Sequence, residues 1–198
     1  MRRRTPEPLD PRLVINAYAR GIFPMADDDG AIHWYAPDPR AVLEHDQLHL
    51  SRSLRATLRK APYDIRLDTA FEAVMRACGA RQRTWINEAF ITTYTHLHTL
   101  GLAHSVEAWQ AGKLVGGLYG VSLGAAWMGE SMFSRATDAS KVCLVALVRH
   151  LQARGYVLHD TQFLTPHLHT LGVTEIPRAV YEQRLRAALR LPCTWADA

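Results

Sequence analysis

The fold of this chain is decided by the stretch KLVGGLYGVSLGAAWMGESMF, residues 113–133. It predicts two strands, Lys113–Val121 and Ala125–Phe133, because a turn separates two runs with strand-like patterns. An alternating run at 104–109 precedes them across the turn Ala111-Gly112 and predicts another strand. Glycines inside a strand let a ligand or a second backbone approach closely. The stretch therefore predicts consecutive strands of one sheet with a site on them.

Helical patterns surround these strands. Downstream, the sequence predicts a helix over 140–155, a strand over Tyr156–Phe163 and a last helix over Arg178–Leu189. Upstream, helical patterns cover 11–20, Ser51–Lys60 and Thr69–Cys78. Strands followed by alternating helix and strand predict an α+β fold with a central sheet.

Composition limits the class of protein. The chain has 198 residues, of which 48% are hydrophobic and 21% charged, so it is long enough for one substantial core. A weak change in composition near residue 47 predicts a small domain, 1–47, before a larger one, 48–198. The three cysteines form no CxxC pair and no apolar run has membrane-spanning length, which favours a reducing, cytoplasmic setting without a membrane. The net charge of +4 permits a polyanionic partner.

Three polar residues are candidates for chemistry. Glu130 follows the glycine-rich stretch, and Asp160 and Gln162 share one face of a later strand because strand side chains repeat every two residues. Two acids and an amide at strand ends suggest a site that holds an amine. The alternative is structural: both acids bond N–H groups of neighbouring loops.

Short segments along nearly the whole chain point to one family. They are YARGIFP at 18–24, Trp34 with APDPR at 36–40, TWI at 84–86, HSVE at 104–107, 116–121, 129–135, ASK at 139–141, DTQ at 160–162, LG at 171–172 and EIPR at 175–178. In order and spacing the chain resembles the leucyl/phenylalanyl-tRNA–protein transferases. The resemblance implies a fold like that of the N-acetyltransferase (GNAT) superfamily, with a mixed sheet flanked by helices. It also implies a small N-terminal domain, reduced here because relatives usually begin farther upstream.

The same resemblance implies an activity. Leucine or phenylalanine moves from Leu-tRNA or Phe-tRNA to the N-terminal Lys or Arg of a protein, which marks that protein for degradation. An aminoacyl ester is already activated, so we expect no cofactor and no metal. We also expect the protein to be a monomer. His159, His167 and His169 with Asp160 match no standard metal spacing. Asp160 and Gln162 are then the expected proton path, and Glu130 faces the cationic acceptor.

Substrate contacts follow from the resemblance, each with a structural alternative. The aminoacyl pocket is expected to use apolar residues that otherwise read as core: Leu118, Trp127, Met132, Leu144, Leu147 and Leu151. Three aromatic residues are expected to stack on the terminal adenosine of the tRNA, with burial in the core as the alternative: Trp34, Trp85 and Tyr94. Four cationic residues are expected to contact tRNA phosphates, with a merely solvated helix face as the alternative: Arg52, Arg55, Arg59 and Lys60. Ser140-Lys141 at a helix start suits an anion, unless Ser140 is only an N-cap.

Two rival functions stay open from the sequence. An acetyl-CoA-dependent N-acetyltransferase would share the fold, but the turn 134–139 lacks the glycines expected of a pyrophosphate loop. A non-catalytic RNA-binding module would need the basic helix but not Glu130, Asp160 and Gln162.

Overall fold

The computed structural model describes residues 9–27 and 29–196. Its helices are α1 Pro11–Tyr18, α2 Arg52–Lys60, α3 Phe71–Gly79, α4 Glu88–Thr99, α5 Ala139–Ala153, α6 Pro166–His169 and α7 Arg178–Ala188. Its strands are β1 Phe23–Ala26, β2 Ile32–Tyr35, β3 Arg40–Val42, β4 Asp64–Leu67, β5 Ala103–Gln110, β6 Lys113–Leu123, β7 Ala126–Ser134, β8 Leu158–Gln162 and β9 Thr174–Ile176. A 3-10 turn covers His45–Gln47.

One mixed sheet of seven strands organises the chain, in the order β4-β5-β6-β7-β8-β3-β9. Neighbours are antiparallel except β7 and β8, which run parallel. The parallel pair is joined by α5, as a parallel connection requires a crossover. Helices pack on both faces, so the predicted α+β fold with a mixed sheet flanked by helices is confirmed.

Two apolar cores lie on opposite faces of the sheet. One packs α1, α3, α4 and α7 around residues such as Phe90, Tyr94 and Met128. The other packs α5 around Trp127, Leu147 and Leu151. Successive residues of β7 therefore serve different cores, which is the period-two alternation of a strand buried on both sides.

The N-terminal part contributes to both a hairpin and the sheet. β1 and β2 form a separate two-stranded hairpin. β3 lies between β8 and β9, although it precedes residue 47. The large sheet thus takes one strand from the predicted small domain, 1–47. The division at residue 47 stays a prediction, and residues 1–8 of that domain lie outside the described residues.

The sequence located the long elements better than the short ones. The predicted helix after Ser51 is confirmed, with the Ser51 hydroxyl accepting from the Leu54 N–H. α4 was not predicted, because threonine and aromatic residues favour strands and tertiary packing decides for the helix. Ser140 is not an N-cap: α5 starts one residue earlier, and the Ser140 N–H donates to Ser134 Oγ.

Candidate active site

The site lies where β7 and β8 separate. Their pairing ends at Met128 opposite Asp160. On the other side of β7, Tyr119 faces Ser131 and Gly120 faces Gly129, so Glu130 is an extra, unpaired residue. Such a bulge re-aims a side chain. The bulge therefore turns the Glu130 carboxylate into the gap between the two strands.

The Glu130 carboxylate is held by hydrogen bonds from two directions. Tyr18 Oη and Gln162 Nε2 donate to Glu130 Oε1 at 2.5 and 2.7 Å. The Tyr18 hydroxyl also lies 2.6 Å from that of Tyr94. Burial raises the pKa of Glu130 to about 7, although both hydrogen bonds favour the charged form. A carboxylate with that pKa changes its charge near neutrality.

Asp160 is fully buried and forms an ion pair with Arg40. Arg40 Nε and Nη2 donate to its two oxygens at 2.8 and 2.6 Å. Tyr181 Oη donates to Asp160 at 2.8 Å, and the backbone N–H of Gln162 donates at 2.9 Å. The exposed fractions of the Arg40 and Asp160 side chains are 1% and 0%. The structure thus joins Asp160 to the backbone of Gln162, and joins the side chain of Gln162 to Glu130.

Gln162 has an unusual backbone conformation for its residue type. Its φ is +67°, in the left-handed region that non-glycine residues rarely adopt. The bond from its N–H to Asp160 holds this conformation at the end of β8. The three predicted catalytic residues are therefore brought together as one connected network.

A cavity of about 630 Å³ opens beside Glu130 on the α5 face of the sheet. Five of the six residues predicted for an aminoacyl pocket line it: Leu118, Trp127, Met132, Leu144 and Leu147. Leu151 is fully buried in the core farther along α5, outside the lining. Lys141 also lines the cavity, with its ammonium 2.9 Å from Asp138.

The three rings predicted to contact the terminal adenosine have different surroundings, all outside the cavity lining. Trp34 is 37% exposed on β2. Trp85 is partly buried against Phe90, with ring centroids 5.2 Å apart. Tyr94 is fully buried, so its ring offers no face to a base in this conformation.

The four predicted phosphate contacts form an exposed basic face on α2: Arg52, Arg55, Arg59 and Lys60. α2 is tied to the cavity lining, because Thr57 Oγ1 donates to Asp138 Oδ2 at 3.1 Å and Asp138 lines the cavity. The basic face therefore lies on a helix that is anchored to a residue of the cavity lining.

Potential metal ligands meet elsewhere. Asp68, His98 and His104 place ligand atoms within 4.8 Å of one another. The atoms already have partners: His104 Nδ1 lies 2.8 Å from Asp68 Oδ2, and His98 Nδ1 lies 2.8 Å from the Ala103 carbonyl oxygen. Hydrogen bonds within the chain therefore account for this cluster.

Sequence reasoning missed the partners of the catalytic candidates. Arg40, Tyr18 and Tyr181 stand 120, 112 and 21 residues from the carboxylates that they contact. One signal was available for Arg40: an aspartate predicted on a buried strand requires a cation, because an unpaired buried charge is costly.

Comparison with known proteins places these features in a family. A family model described as leucyl/phenylalanyl-tRNA protein transferase matches residues 42–186, and one for the N-terminal domain of the same proteins matches residues 7–38. Proteins named leucyl/phenylalanyl-tRNA–protein transferase from Herpetosiphon aurantiacus and Rubrobacter xylanophilus are 57% and 56% identical to this chain. The alignments cover 94% and 95% of this chain, and 98% and 99% of those proteins.

Solved structures give a more distant likeness. A GCN5-related N-acetyltransferase-like protein from Streptococcus suis has 16% identity and a TM-score of 0.39, over 83% of this chain and 63% of that one. The C-terminal domain of a putative lysylphosphatidylglycerol synthetase from Agrobacterium fabrum has 14% identity and a TM-score of 0.43, over 81% and 62%. Within residues 9–27 and 29–196, no helix has both the length and the apolar content needed to cross a bilayer.

Proposed function

The chain belongs to the leucyl/phenylalanyl-tRNA–protein transferase family, and we propose that it moves a leucyl or phenylalanyl group from aminoacyl-tRNA to the N-terminal Lys or Arg of proteins. The product carries a new N-terminal residue that marks it for degradation. We propose that the reaction runs in the cytoplasm, on a monomer. The observation that carries the assignment of the site is the hydrogen bond between Gln162 and Glu130, where Glu130 lines a cavity with many apolar side chains.

The reaction is an aminolysis of an ester. The lone pair of the acceptor α-amine attacks the ester carbonyl carbon, so that a C–N bond forms and the C–O bond to the ribose breaks. The nitrogen loses a proton and the ribose oxygen gains one. Because the donor is already activated, the protein has to position both substrates and move this proton.

Glu130 is suited to take the proton from the amine. A general base works best when its pKa lies near the working pH, and burial raises the pKa of Glu130 to about 7. Its negative charge in the ionised form also favours a cationic N-terminal residue on the acceptor protein. Tyr18 keeps the carboxylate oriented through its 2.5 Å hydrogen bond.

Asp160 and Gln162 are suited to positioning. Both Asp160 oxygens are engaged, by Arg40, Tyr181 and the Gln162 N–H, which leaves Asp160 poorly placed to accept a proton from a substrate. Gln162 donates to Glu130 through Nε2, so its amide holds the base across the gap between β7 and β8.

The cavity and the basic face suit the two ends of the donor. The cavity's apolar lining suits a leucyl or phenylalanyl side chain. The basic face of α2 suits acceptor-stem phosphates, since each neutralised phosphate releases counterions. Trp34, Trp85 and Tyr94 stay candidates for the terminal adenosine, and Tyr94 would have to move to reach it.

The test is a transfer assay with labelled Leu-tRNA and Phe-tRNA. Each donor is offered with otherwise identical peptides that begin with Lys, Arg or Asp. We expect transfer to the Lys and Arg peptides and little to the Asp peptide. Acetylation from acetyl-CoA without transfer from either tRNA would instead establish the rival acetyltransferase, and binding of tRNA without any transfer would establish an RNA-binding module.

A further inference from the structure

Polar atoms of the cavity wall gather around Gly129, at a point that we call the polar notch. Three polar atoms surround the point that a Cβ on Gly129 would occupy: Trp127 Nε1 and the Asp160 carbonyl oxygen, each at 3.5 Å, and His159 Nε2 at 3.7 Å. Gly129, Trp127 and His159 all line the cavity. The notch is therefore the point that a side chain at position 129 would occupy, beside two other residues of the cavity lining.

Across the described residues, one polar atom at the notch, Trp127 Nε1, lacks a hydrogen-bond partner, and so does Nδ1 of His159, on the side of the imidazole ring away from the notch. The two side chains are only 0% and 3% exposed. Leaving buried groups unpaired is costly, and most such groups in proteins are satisfied by water or a ligand. Burial lowers the pKa of His159 to about 3, so the imidazole is neutral and presents one donor and one acceptor.

Apolar side chains such as Leu118, Met132, Leu144 and Leu147 line the same cavity, beside polar ones such as Lys141. A fitting ligand group therefore has an apolar body and one polar tip. The tip must accept from an indole N–H and donate to a carbonyl oxygen or an imidazole nitrogen, which is the hydrogen-bonding pattern of a hydroxyl.

We propose that the cavity also accepts a tyrosyl group, with the phenol ring against the apolar wall and its hydroxyl in the notch between Trp127 and His159. This inference rests on the proposed function, and the chemical step is unchanged. The ester C–O bond breaks, the C–N bond forms, and the proton passes from the amine to the ribose oxygen. The phenol hydroxyl takes no part in the step.

The experiment compares tyrosyl, phenylalanyl and leucyl esters of adenosine as short donors, so that contacts with the body of a tRNA do not contribute. For the unmodified protein we expect kcat/KM for the tyrosyl donor to equal or exceed that for the phenylalanyl donor. His159→Leu should lower the ratio of tyrosyl to phenylalanyl transfer by about tenfold or more, because the hydroxyl loses a partner.

Two further variants control for shape. His159→Gln keeps a hydrogen-bonding group on a flexible side chain and should retain most of the ratio. Gly129→Ala fills the notch with a methyl group whose nearest neighbours are 3.5 Å away, an ordinary contact, so the fold should persist while the ratio falls. Thermal unfolding of each variant checks that the fold is intact.

Three results would overturn the inference. An unchanged ratio in His159→Leu and Gly129→Ala would mean that the notch holds only water. An equal loss for all three donors would mean that the notch contacts the adenosine or supports the wall. A wild-type preference for phenylalanyl of tenfold or more would exclude tyrosyl as a fitting substrate. Failure of leucyl and phenylalanyl transfer from intact tRNA is a separate result, and it would overturn the proposed function itself.

Discussion

Asp160→Asn tests the role of the buried ion pair. The substitution keeps the shape of the side chain and removes its charge. Arg40 would then keep a full positive charge at a site where its side chain is 1% exposed. The new amide also turns an N–H group toward donors that now bond a carboxylate, among them Arg40 and the Gln162 N–H.

The expected loss follows from burial. Removing one partner of a fully buried pair costs about 3–5 kcal/mol in the free energy of unfolding. For a chain of this length, 1 kcal/mol corresponds to about 2–4 °C in Tm, so we expect a decrease of about 6–20 °C. Turnover should fall as well, because the Gln162 N–H no longer bonds a charged carboxylate and the Gln162 amide then holds Glu130 less firmly.

The assay is urea unfolding and thermal melting, followed by circular dichroism. Glu44→Gln is the matched control, because Glu44 pairs with Arg184 in two hydrogen bonds but is 39% exposed. Adding Arg40→Met to Asp160→Asn should recover part of the lost stability by removing the unpaired charge. An Asp160→Asn protein no less stable than the Glu44→Gln protein would refute the reasoning.

Three further predictions concern the reaction and its substrates. Burial raises the pKa of Glu130 to about 7, so Glu130 is protonated below that pH and the transfer rate should rise as the pH increases through 7. Glu130→Gln should lower kcat about 100-fold and remove the inflection from the pH–rate profile. A variant with an unchanged pH–rate profile would exclude Glu130 as the base. Leu147→Ala and Leu151→Ala should each lower the free energy of unfolding by about 2–5 kcal/mol, because both side chains are buried. Of the two residues only Leu147 lines the cavity, so only Leu147→Ala should change the ratio of phenylalanyl to leucyl transfer. A similar change of that ratio in both variants would contradict the assignment of the lining. Replacing the three arginines of the basic face of α2 with alanine should weaken tRNA binding and reduce its salt dependence by up to about three counterions. Transfer from an aminoacyl-adenosine donor, which has no acceptor stem, should be largely unchanged. An unchanged salt dependence of tRNA binding would mean that this face is merely solvated.

Local patterns were sufficient for the elements that carry the site. The glycine-rich strands, the helix after them and the strand with Asp160 follow from periodicity and turn residues. The bulge at Glu130 does not, because it depends on the register between Tyr119–Ser131 and Gly120–Gly129 across two strands. A sequence gives the residue types of the strands, but this register is fixed only by packing on both faces of the sheet.

The network behind the site depends on long-range contacts. Arg40 begins a strand of three residues directly after Pro39, too short for a clear pattern in the sequence. Only the place of that strand between β8 and β9 brings the Arg40 guanidinium to Asp160. The polar notch is similar, because Trp127 and His159 face each other only through the parallel pairing of β7 and β8. Spacing along the chain cannot show such a meeting of separate strands.

The position of β3 has a consequence for synthesis on the ribosome. β3 is made early, yet it lies between β8 and β9, and Arg40 precedes its partner Asp160 by 120 residues. At about 5–20 residues per second, those 120 residues take roughly 6–24 s to synthesise. Throughout that interval β3 has both edges unpaired and Arg40 has no carboxylate to bind. The nascent chain therefore completes its sheet, and with it the site, only after nearly the whole chain has been made.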